Sequence, residues 1–206
     1  MKLYLSSYQI PNLEELENLL EKPLSKINLV LVTNAKDYYI DRARKIKVAS
    51  EIDYFKSLGV VRYEEIDLRD YETSDETLKA IGDADLVWVM GGNTFMLRHE
   101  MNRSGFDDAI KKATAKGAVY GGNSAGAAVA GNTIKGLQHG DAAGFAEEIH
   151  WDGLGLVDHF ILPHVGNNMY EKFTAAVLEE HEGDDTVVKL TDDQVLIVNG
   201  NSEKIV

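Results

Sequence analysis

The sequence contains no cysteine and only three prolines. Without cysteine the chain can form neither a disulfide nor a thiolate metal site, and a covalent nucleophile must be another residue type. The absence is typical of a reducing compartment, and residues 1–10 lack the ~7–15-residue apolar core of a signal peptide. No apolar run approaches the ~20 residues that span a bilayer. We therefore expect a cytoplasmic protein that does not bind a membrane.

Basic residues are also scarce. Lysine and arginine number 21 against 34 acidic residues, which gives a formal net charge of −13. Such a surface repels phosphate backbones, so nucleic acid is excluded as the expected partner. Hydrophobic residues make up 44% of the chain, enough for a real core. Because the sequence shows no linker-like segment and no internal repeat, we expect one domain over residues 1–206.

Short apolar runs alternate with helical patterns along most of the chain. This rhythm predicts an α/β fold with a mostly parallel sheet and helices on both faces. Strands near the end of the chain follow one another closely and are expected to form an antiparallel edge. Residues 131–155 are rich in glycine and are interpreted as a long functional loop or hairpin. The predicted strands are 3–5, 27–32, 60–66, 86–90, 118–120, 160–162, 186–190, 194–199 and 203–206, and the main predicted helices are 13–20, 37–58, 74–81, 94–101, 106–115 and 169–180.

The strongest local motif is Gly122-Asn123-Ser124-Ala125-Gly126. It has the form G-x-S-x-G between a predicted strand and a predicted helix, which is the context of a nucleophile elbow. Small residues on either side let the chain turn sharply and expose the serine oxygen. The N–H of Ala125, at the helix start, can then point at a developing oxyanion. The alternative is a glycine-rich turn that only packs or binds an anion.

A second turn, Gly91-Gly92-Asn93-Thr94, repeats this arrangement after the preceding strand. Both turns are expected at the carboxyl edge of the sheet, where open α/β sheets bind ligands. The N–H of Gly92 could be the second oxyanion donor. The simpler interpretation of Thr94 is a helix cap, which is compatible with that role.

A serine nucleophile needs a base, and the chain has six histidines. His164 is favoured because it follows a predicted strand at the same sheet edge and is preceded by Pro163. His139 and His150 could line a site from the loop, whereas His99 and His181 are expected on the surface and His159 precedes a strand. The orienting carboxylate is left open between Asp192 and Asp193, which lie in a turn between two strands.

With these motifs, the chain resembles the serine peptidase family that contains peptidase E and cyanophycinase. The resemblance covers most of the chain and depends on the order and spacing of several motifs. It implies a three-layer α/β sandwich like that of class I glutamine amidotransferases, with serine in place of their cysteine. The motifs are Gly91-Gly92-Asn93-Thr94-Phe95, Gly122-Asn123-Ser124-Ala125-Gly126-Ala127, Gly153-Leu154-Gly155-Leu156, Pro163-His164 with Asn167, and Leu190-Thr191-Asp192-Asp193.

The resemblance also implies roles for single residues. Ser124 would be the nucleophile, His164 the base and Asp192 the third member of the triad. The backbone N–H groups of Gly92 and Ala125 would form the oxyanion hole. The resulting chain order of Ser, His and Asp differs from that of ordinary α/β-hydrolases, but the chemistry does not depend on that order.

One departure from the family concerns specificity. Peptidase E carries an arginine soon after the catalytic histidine, where it holds the aspartate side chain of the substrate. The stretch Asn168–Lys172 contains no arginine, and Tyr170 or Lys172 lies nearest. A lysine is a point charge and cannot reproduce the two-pronged grip of a guanidinium. Asn93, Asn167 and Tyr170 are expected to contact the substrate.

These observations predict a serine peptidase that cleaves a small peptide, such as a dipeptide or an N-terminal residue, with an acidic first residue as one option. Cyanophycinases are typically longer, so the dipeptidase branch is favoured. No metal or organic cofactor is implied, and the protein is expected to be a monomer or a homodimer. The alternatives are an esterase or amidase for non-peptide acyl compounds, and a catalytically silent protein that binds an amino acid or peptide. The role of residues 131–152, as pocket wall or lid, is left open.

Overall fold

Nine strands alternate with seven α-helices in the computed structural model, which describes all 206 residues. The strands are β1 Lys2–Ser6, β2 Leu29–Val32, β3 Tyr63–Ile66, β4 Leu86–Val89, β5 Val119–Asn123, β6 Phe160–Leu162, β7 Val187–Lys189, β8 Val195–Asn199 and β9 Ser202–Ile205. The helices are α1 Leu13–Leu20, α2 Asp41–Ser57, α3 Ser74–Ile81, α4 Thr94–Arg103, α5 Phe106–Ala115, α6 Ala125–Ala128 and α7 Glu171–Glu180.

Seven strands form one sheet in the order β3-β2-β4-β5-β1-β8-β9. The first five strands of that order run parallel, while β8 and β9 are antiparallel to their neighbours. The carboxyl ends of β1, β2, β4 and β5 therefore meet at one edge. The predicted mostly parallel sheet with an antiparallel edge is confirmed for these strands.

The strand β7 departs from that expectation. It pairs in parallel with β6 to form a separate two-stranded sheet, with Leu162 opposite Lys189. The ladder continues beyond the strands, because the N–H of Val165 donates to the carbonyl of Leu190 at 3.0 Å. The segments that follow β6 and β7 consequently leave this small sheet side by side.

The main sheet has helices on both faces. On one face, Leu16 of α1 and Phe55 of α2 pack into a buried cluster with Trp88 of the sheet. On the other face, Phe95 of α4 and Phe106 of α5 belong to a second, larger buried cluster. Strands buried on both faces explain the unbroken apolar runs of the sequence. The longest helix, α2, has 17 residues, and no helix combines the length and apolar character needed to cross a bilayer.

Several element boundaries differ from the predicted ones. The helix predicted from residue 37 begins at Asp41, after a short 3₁₀ turn over Asn34–Lys36. The helix α3 begins at Ser74 as predicted, and its N-cap is Thr73. The Thr73 hydroxyl accepts from the N–H of Glu76, whose carboxylate accepts in return from the N–H of Thr73.

Residues 131–155 do not form a regular hairpin. They contain two short 3₁₀ turns and one isolated antiparallel bridge, between Thr133 and Asp152. The fully buried Arg98 of α4 holds the far end of this loop, since its guanidinium donates to the backbone carbonyl of Asp152 at 2.8 Å and binds both carboxylate oxygens of Asp107. The loop is therefore anchored to the face of the sheet that carries α4.

Candidate active site

Ser124 lies between β5 and α6 in a strained backbone conformation. Its φ is 52° and its ψ is −114°, in a region that residues with a side chain rarely adopt. Such a conformation costs on the order of 1–3 kcal/mol and persists only where surrounding contacts enforce it. Here the N–H of Ser124 donates to the carbonyl of Ser6 in the neighbouring strand at 3.0 Å. The strand-to-helix turn thus presents the serine side chain at the carboxyl edge of the sheet.

The two glycines of the G-x-S-x-G motif are required by close backbone packing. A Cβ atom at Gly122 would lie 2.6 Å from the carbonyl carbon and oxygen of Gly126. A Cβ at Gly126 would lie 2.1 Å from the carbonyl oxygen of Val89 in β4. Any side chain at either position would push α6 away from the sheet. The motif therefore has a direct steric basis in this fold.

His164 follows β6 and faces the serine. Its Nε2 atom lies 2.9 Å from Oγ of Ser124. The histidine also has a positive φ, 65°, and its backbone N–H donates to the hydroxyl of Ser7 at 2.7 Å. Positive φ in a non-glycine residue is uncommon, and here it turns the imidazole from the strand end towards the elbow.

Asp192 lies behind the histidine. Its Oδ1 atom is 2.6 Å from Nδ1 of His164, so the two imidazole nitrogens face Asp192 and Ser124 respectively. The parallel pairing of β6 with β7 explains this contact, because His164 follows β6 and Asp192 follows β7. Asp193, the alternative left open by the sequence, instead accepts a hydrogen bond from the hydroxyl of Thr191 at 2.5 Å.

Hydrogen bonds keep the Asp192 carboxylate ionised. Burial alone would raise the pKa of Asp192, but donors from Asn167, Ser7 and His164 together hold that pKa below its usual range. The Asn167 amide donates to Oδ2 at 2.6 Å, and the Ser7 hydroxyl donates to Oδ1 at 2.8 Å. An ionised carboxylate at this position favours the Nδ1–H tautomer of the histidine, which leaves Nε2 free to accept a proton.

Ser7 was not predicted from the sequence. It is fully buried and contacts both His164 and Asp192 through its hydroxyl. A signal did exist, because β1 ends in the polar pair Ser6-Ser7 beside the end of β5, which carries the elbow. That position in the sheet becomes evident only once the strand order is known.

The turn after β4 packs against the turn after β2. A Cβ at Gly92, where φ is 154°, would lie 2.1 Å from the carbonyl oxygen of Ala35. The N–H of Gly91 donates to Oδ1 of Asn123 at 3.2 Å. The N–H groups of Gly92 and Ala125 donate to no acceptor within the chain, although Ala125 is buried. Both are therefore available to a ligand.

Thr94 is not the cap of α4. The N-cap is Asn93, whose Oδ1 accepts from the N–H of Met96 at 2.9 Å. Thr94 instead donates from both its N–H and its hydroxyl to Oδ2 of Asp141, at 2.8 and 2.5 Å. An asparagine has the short side-chain oxygen that capping needs, so Thr94 is left to hold the loop carboxylate.

A cavity of about 280 Å³ opens in front of Ser124. It is smaller than most pockets for drug-sized ligands, which span ~300–1,000 Å³, and suits a short substrate. Its wall includes the positively charged Lys36, the negatively charged Asp141 and four tyrosines, Tyr8, Tyr38, Tyr39 and Tyr170. Residues 137, 140 and 141 reach it from the long loop, which therefore forms part of the pocket wall.

Of the three residues expected to contact substrate, Tyr170 lines the cavity, whereas Asn93 and Asn167 do not. Tyr170 lines the cavity and stacks on the His164 ring with centroids 4.2 Å apart and an interplanar angle of 16°. The amides of Asn93 and Asn167 are engaged within the chain and are absent from the cavity wall. Lys172 is exposed and also lies outside the wall. No cationic residue of the stretch Asn168–Lys172 therefore lines the cavity.

Asp141 was missed by the sequence reasoning because a carboxylate within an irregular loop carries no periodic signal. Burial raises the pKa of Asp141, and the Thr94 hydrogen bonds and the nearby His164 only partly oppose that rise. A desolvated carboxylate in a cavity is well suited to bind a cation.

The other five histidines lie outside the cavity wall. His139 and His159 contact the carboxylates of Glu180 and Glu203, at 2.8 and 2.7 Å. Contrary to expectation, His181 is largely buried, because it packs on a neighbouring phenylalanine ring. His99 is half-buried and stacks on His150. No three His, Asp or Glu side chains converge as metal ligands.

The fold is an α/β sandwich, and Ser124, His164 and Asp192 form a hydrogen-bonded row at one edge of its sheet. A family model described as Peptidase family S51 matches residues 8–206. The chain therefore belongs to peptidase family S51, and it is a serine-type peptidase.

Named relatives agree with this assignment. Uncharacterized peptidase Lmo0363 of Listeria monocytogenes serovar 1/2a is 28% identical over 93% of this chain and 89% of its own length. Peptidase E of Nostoc sp. strain PCC 7120 is 32% identical over 89% of this chain and 66% of its own length.

A crystal structure described as a "Putative Peptidase E Protein" from Listeria monocytogenes EGD-e superposes with a TM-score of 0.82 at 25% identity, covering 100% of this chain and 97% of that one. A peptidase from an acI-B1 Actinobacterium shares the fold, with a TM-score of 0.69 at 18% identity. The expected family and the expected α/β sandwich of class I glutamine amidotransferase type are thereby confirmed.

Proposed function

We propose that this peptidase hydrolyses short peptides with a free N-terminus through a Ser124-His164-Asp192 triad and an acyl-enzyme. The observation that carries the proposal is the 2.9 Å contact between Nε2 of His164 and Oγ of Ser124, with Asp192 on the opposite ring nitrogen. This is the geometry that a nucleophile, a base and an orienting carboxylate need for acyl transfer.

The reaction then proceeds in two halves. Oγ of Ser124 bonds to the scissile carbonyl carbon while its proton passes to Nε2 of His164. The N–H groups of Gly92 and Ala125 stabilise the oxyanion, each donor being worth ~10²–10³ in rate. The C–N bond breaks as His164 gives its proton to the leaving amine. Water, activated by the same histidine, hydrolyses the acyl-enzyme and regenerates Ser124.

Asp141 supports the preference for a free N-terminus. Its carboxylate lines the cavity, and only Oδ2 accepts the two hydrogen bonds from Thr94. The α-ammonium of a bound peptide can pair with this carboxylate in a partly desolvated site. A peptide anchored in this way presents its first peptide bond to the nucleophile, which favours release of one N-terminal residue or cleavage of a dipeptide.

The test is a panel of dipeptides with acidic, basic and apolar first residues, read by mass spectrometry of the released amino acids. Wild type is compared with Ser124→Ala and with Ser57→Ala, an exposed serine at the end of α2. We expect release by wild type and Ser57→Ala and none by Ser124→Ala. A fluorophosphonate probe should label the same two active proteins.

Other outcomes separate the alternatives. Turnover of acyl esters but of no peptide would favour an esterase or amidase. Thermal stabilisation by peptides without turnover or labelling would favour a binding protein. A Ser124→Ala variant with full activity would contradict the mechanism.

A further inference from the structure

A lysine lies in the wall of the Ser124 cavity without a partner in the chain. Lys36 belongs to the short turn after β2 and is half-buried. Its ammonium group forms neither an ion pair nor a hydrogen bond with any residue, in contrast to Lys2, Lys22 and Lys204. Partial burial of an ammonium group that has no partner costs free energy in the unliganded protein. Lys36 is therefore a candidate for binding a ligand.

Asn123 contributes a second free donor to the wall of the same cavity. Its Oδ1 is taken by the N–H of Gly91, which orients the amide. Its Nδ2 group donates to no acceptor in the chain, and the residue as a whole is only 7% exposed. A Cβ at Gly121 would meet Trp88, which belongs to the buried cluster on the α2 face of the sheet. Because side chains alternate along a strand, Asn123, two residues later, faces the same side.

Lys36 lies in the segment that joins β2 to α2. The acidic residue acting on it most strongly is Glu51, in the middle of α2. Burial lowers the pKa of Lys36, and the Glu51 charge opposes this without forming an ion pair. The α2 side of the cavity therefore offers unpartnered donors, an ammonium and an amide, whereas the α4 side offers the acceptor Asp141.

We propose that Lys36 and Asn123 form a subsite that binds a carboxylate of the peptide substrate. The proposal rests on the peptidase function proposed above and specifies its substrate class. An ammonium and an amide donor are the chemical complement of a carboxylate, and a charged hydrogen bond here would be strengthened by burial. Because Asp141 lines the same cavity, the wall offers a partner for an ammonium as well as partners for a carboxylate.

Two carboxylates of a dipeptide have the required chemistry. One is the side chain of an acidic first residue, and the other is the C-terminal carboxylate. As a point charge, Lys36 imposes no two-pronged geometry, so Asn123 would contribute the second hydrogen bond.

The experiment compares Lys36→Met with wild type on Asp-Leu, Asn-Leu and the C-terminal amides of both peptides. Methionine keeps an unbranched stem and removes the charge. We expect KM to rise about tenfold or more on peptides that carry the recognised carboxylate, with a smaller change in kcat. If the subsite binds the side-chain carboxylate, KM rises only for the two Asp peptides. If it binds the C-terminal carboxylate, KM rises only for the two peptides with a free C-terminus.

The exposed Lys45 of α2 provides the matched control, because Lys45→Met removes the same charge without touching the cavity. Lys36→Arg should retain part of the preference. A purely structural role for Lys36 would lower the melting temperature and change all four peptides alike. That result, or no effect on any peptide, would overturn the proposal.

Calorimetry separates this proposal from the catalytic one. The four peptides are titrated into Ser124→Ala and into Ser124→Ala combined with Lys36→Met, so that no turnover is needed. We expect the second variant to bind the recognised peptide about tenfold more weakly or worse. Equal affinities, or no binding of any peptide to Ser124→Ala, would contradict the subsite even if the triad were correct. Selective binding without turnover in wild type would contradict the triad alone.

Discussion

The hydroxyl of Ser7 donates a partly buried hydrogen bond to Oδ1 of Asp192 at 2.8 Å. The same hydroxyl accepts the backbone N–H of His164 at 2.7 Å. One small side chain at the end of β1 therefore fixes the orienting carboxylate and the backbone of the histidine together. It links two residues that arrive from the separate β6-β7 sheet to the main sheet that carries Ser124.

Ser7→Ala is expected to lower kcat by about 10- to 100-fold with little change in KM. Loss of the hydroxyl leaves a buried N–H and a carboxylate oxygen short of a partner, at a cost of ~1–3 kcal/mol. Steady-state kinetics on the preferred dipeptide measures the effect, and Ser57→Ala is the control. An unchanged kcat would show that Asn167 alone orients Asp192.

Ser7→Ala should also shift acid unfolding to higher pH. The pKa of Asp192 in the folded protein is held below its usual value by donors that include Ser7. The ionised carboxylate therefore contributes stability above its unfolded-state pKa, and this is lost as the pH falls through the folded-state pKa. Removing one donor raises that folded-state pKa. Circular dichroism along an acid titration would show it, and coincident curves would count against the Ser7 contribution.

Gly92→Ala is expected to remove most activity. Its Cβ would lie 2.1 Å from the Ala35 carbonyl, so the turn must shift and with it the proposed oxyanion donor. Loss of one such donor costs ~10²–10³ in kcat. Gly117→Ala is the matched control, since its φ is also positive, +111°, but a Cβ there has nothing within 4 Å. Both variants should lose stability from backbone strain, and only Gly92→Ala should lose kcat.

Much of the fold could be predicted because each buried strand leaves a continuous apolar run. The elbow could be predicted for a related reason, since close backbone contacts at Gly122 and Gly126 restrict the sequence locally. The partner of β7 could not be predicted, because a three-residue strand does not specify whether it pairs in parallel or antiparallel.

The other residues around Ser124 were harder to predict than the motif. Lys36, Asp141 and Ser7 lie in turns or loops after different elements, and none belongs to a periodic pattern. The strand order β2-β4-β5-β1 brings Lys36 and Ser7 to one edge of the sheet, and Thr94 after β4 holds Asp141 there. The sequence alone specifies neither the strand order nor this contact. Charged residues that have no helical or strand periodicity therefore need the tertiary structure before a role can be proposed.

Arg98→Met should destabilise the protein by about 3 kcal/mol and loosen the loop over residues 131–155. The fully buried guanidinium compensates Asp107 and holds the backbone carbonyl of Asp152. Removing it leaves these groups without their cation. Chemical denaturation measures the loss, with the exposed Arg42→Met as control. Limited proteolysis should cut the variant within the loop first, and equal cleavage rates would contradict the anchoring role.

Asp141→Asn should separate stability from function. Burial raises the folded-state pKa of Asp141 above its unfolded value, so its ionised form costs stability at neutral pH, and protonation on acidification relieves that cost. Asparagine has no charge and can still accept from Thr94. We expect an equal or higher melting temperature at pH 8, with the low-pH gain in stability reduced. For free-amine dipeptides, kcat/KM should fall about tenfold or more, mainly through KM, because the ammonium loses its counter-charge. Asp53→Asn, exposed on α2, should change neither quantity. A variant that keeps wild-type KM would remove Asp141 from substrate binding, whatever its effect on stability.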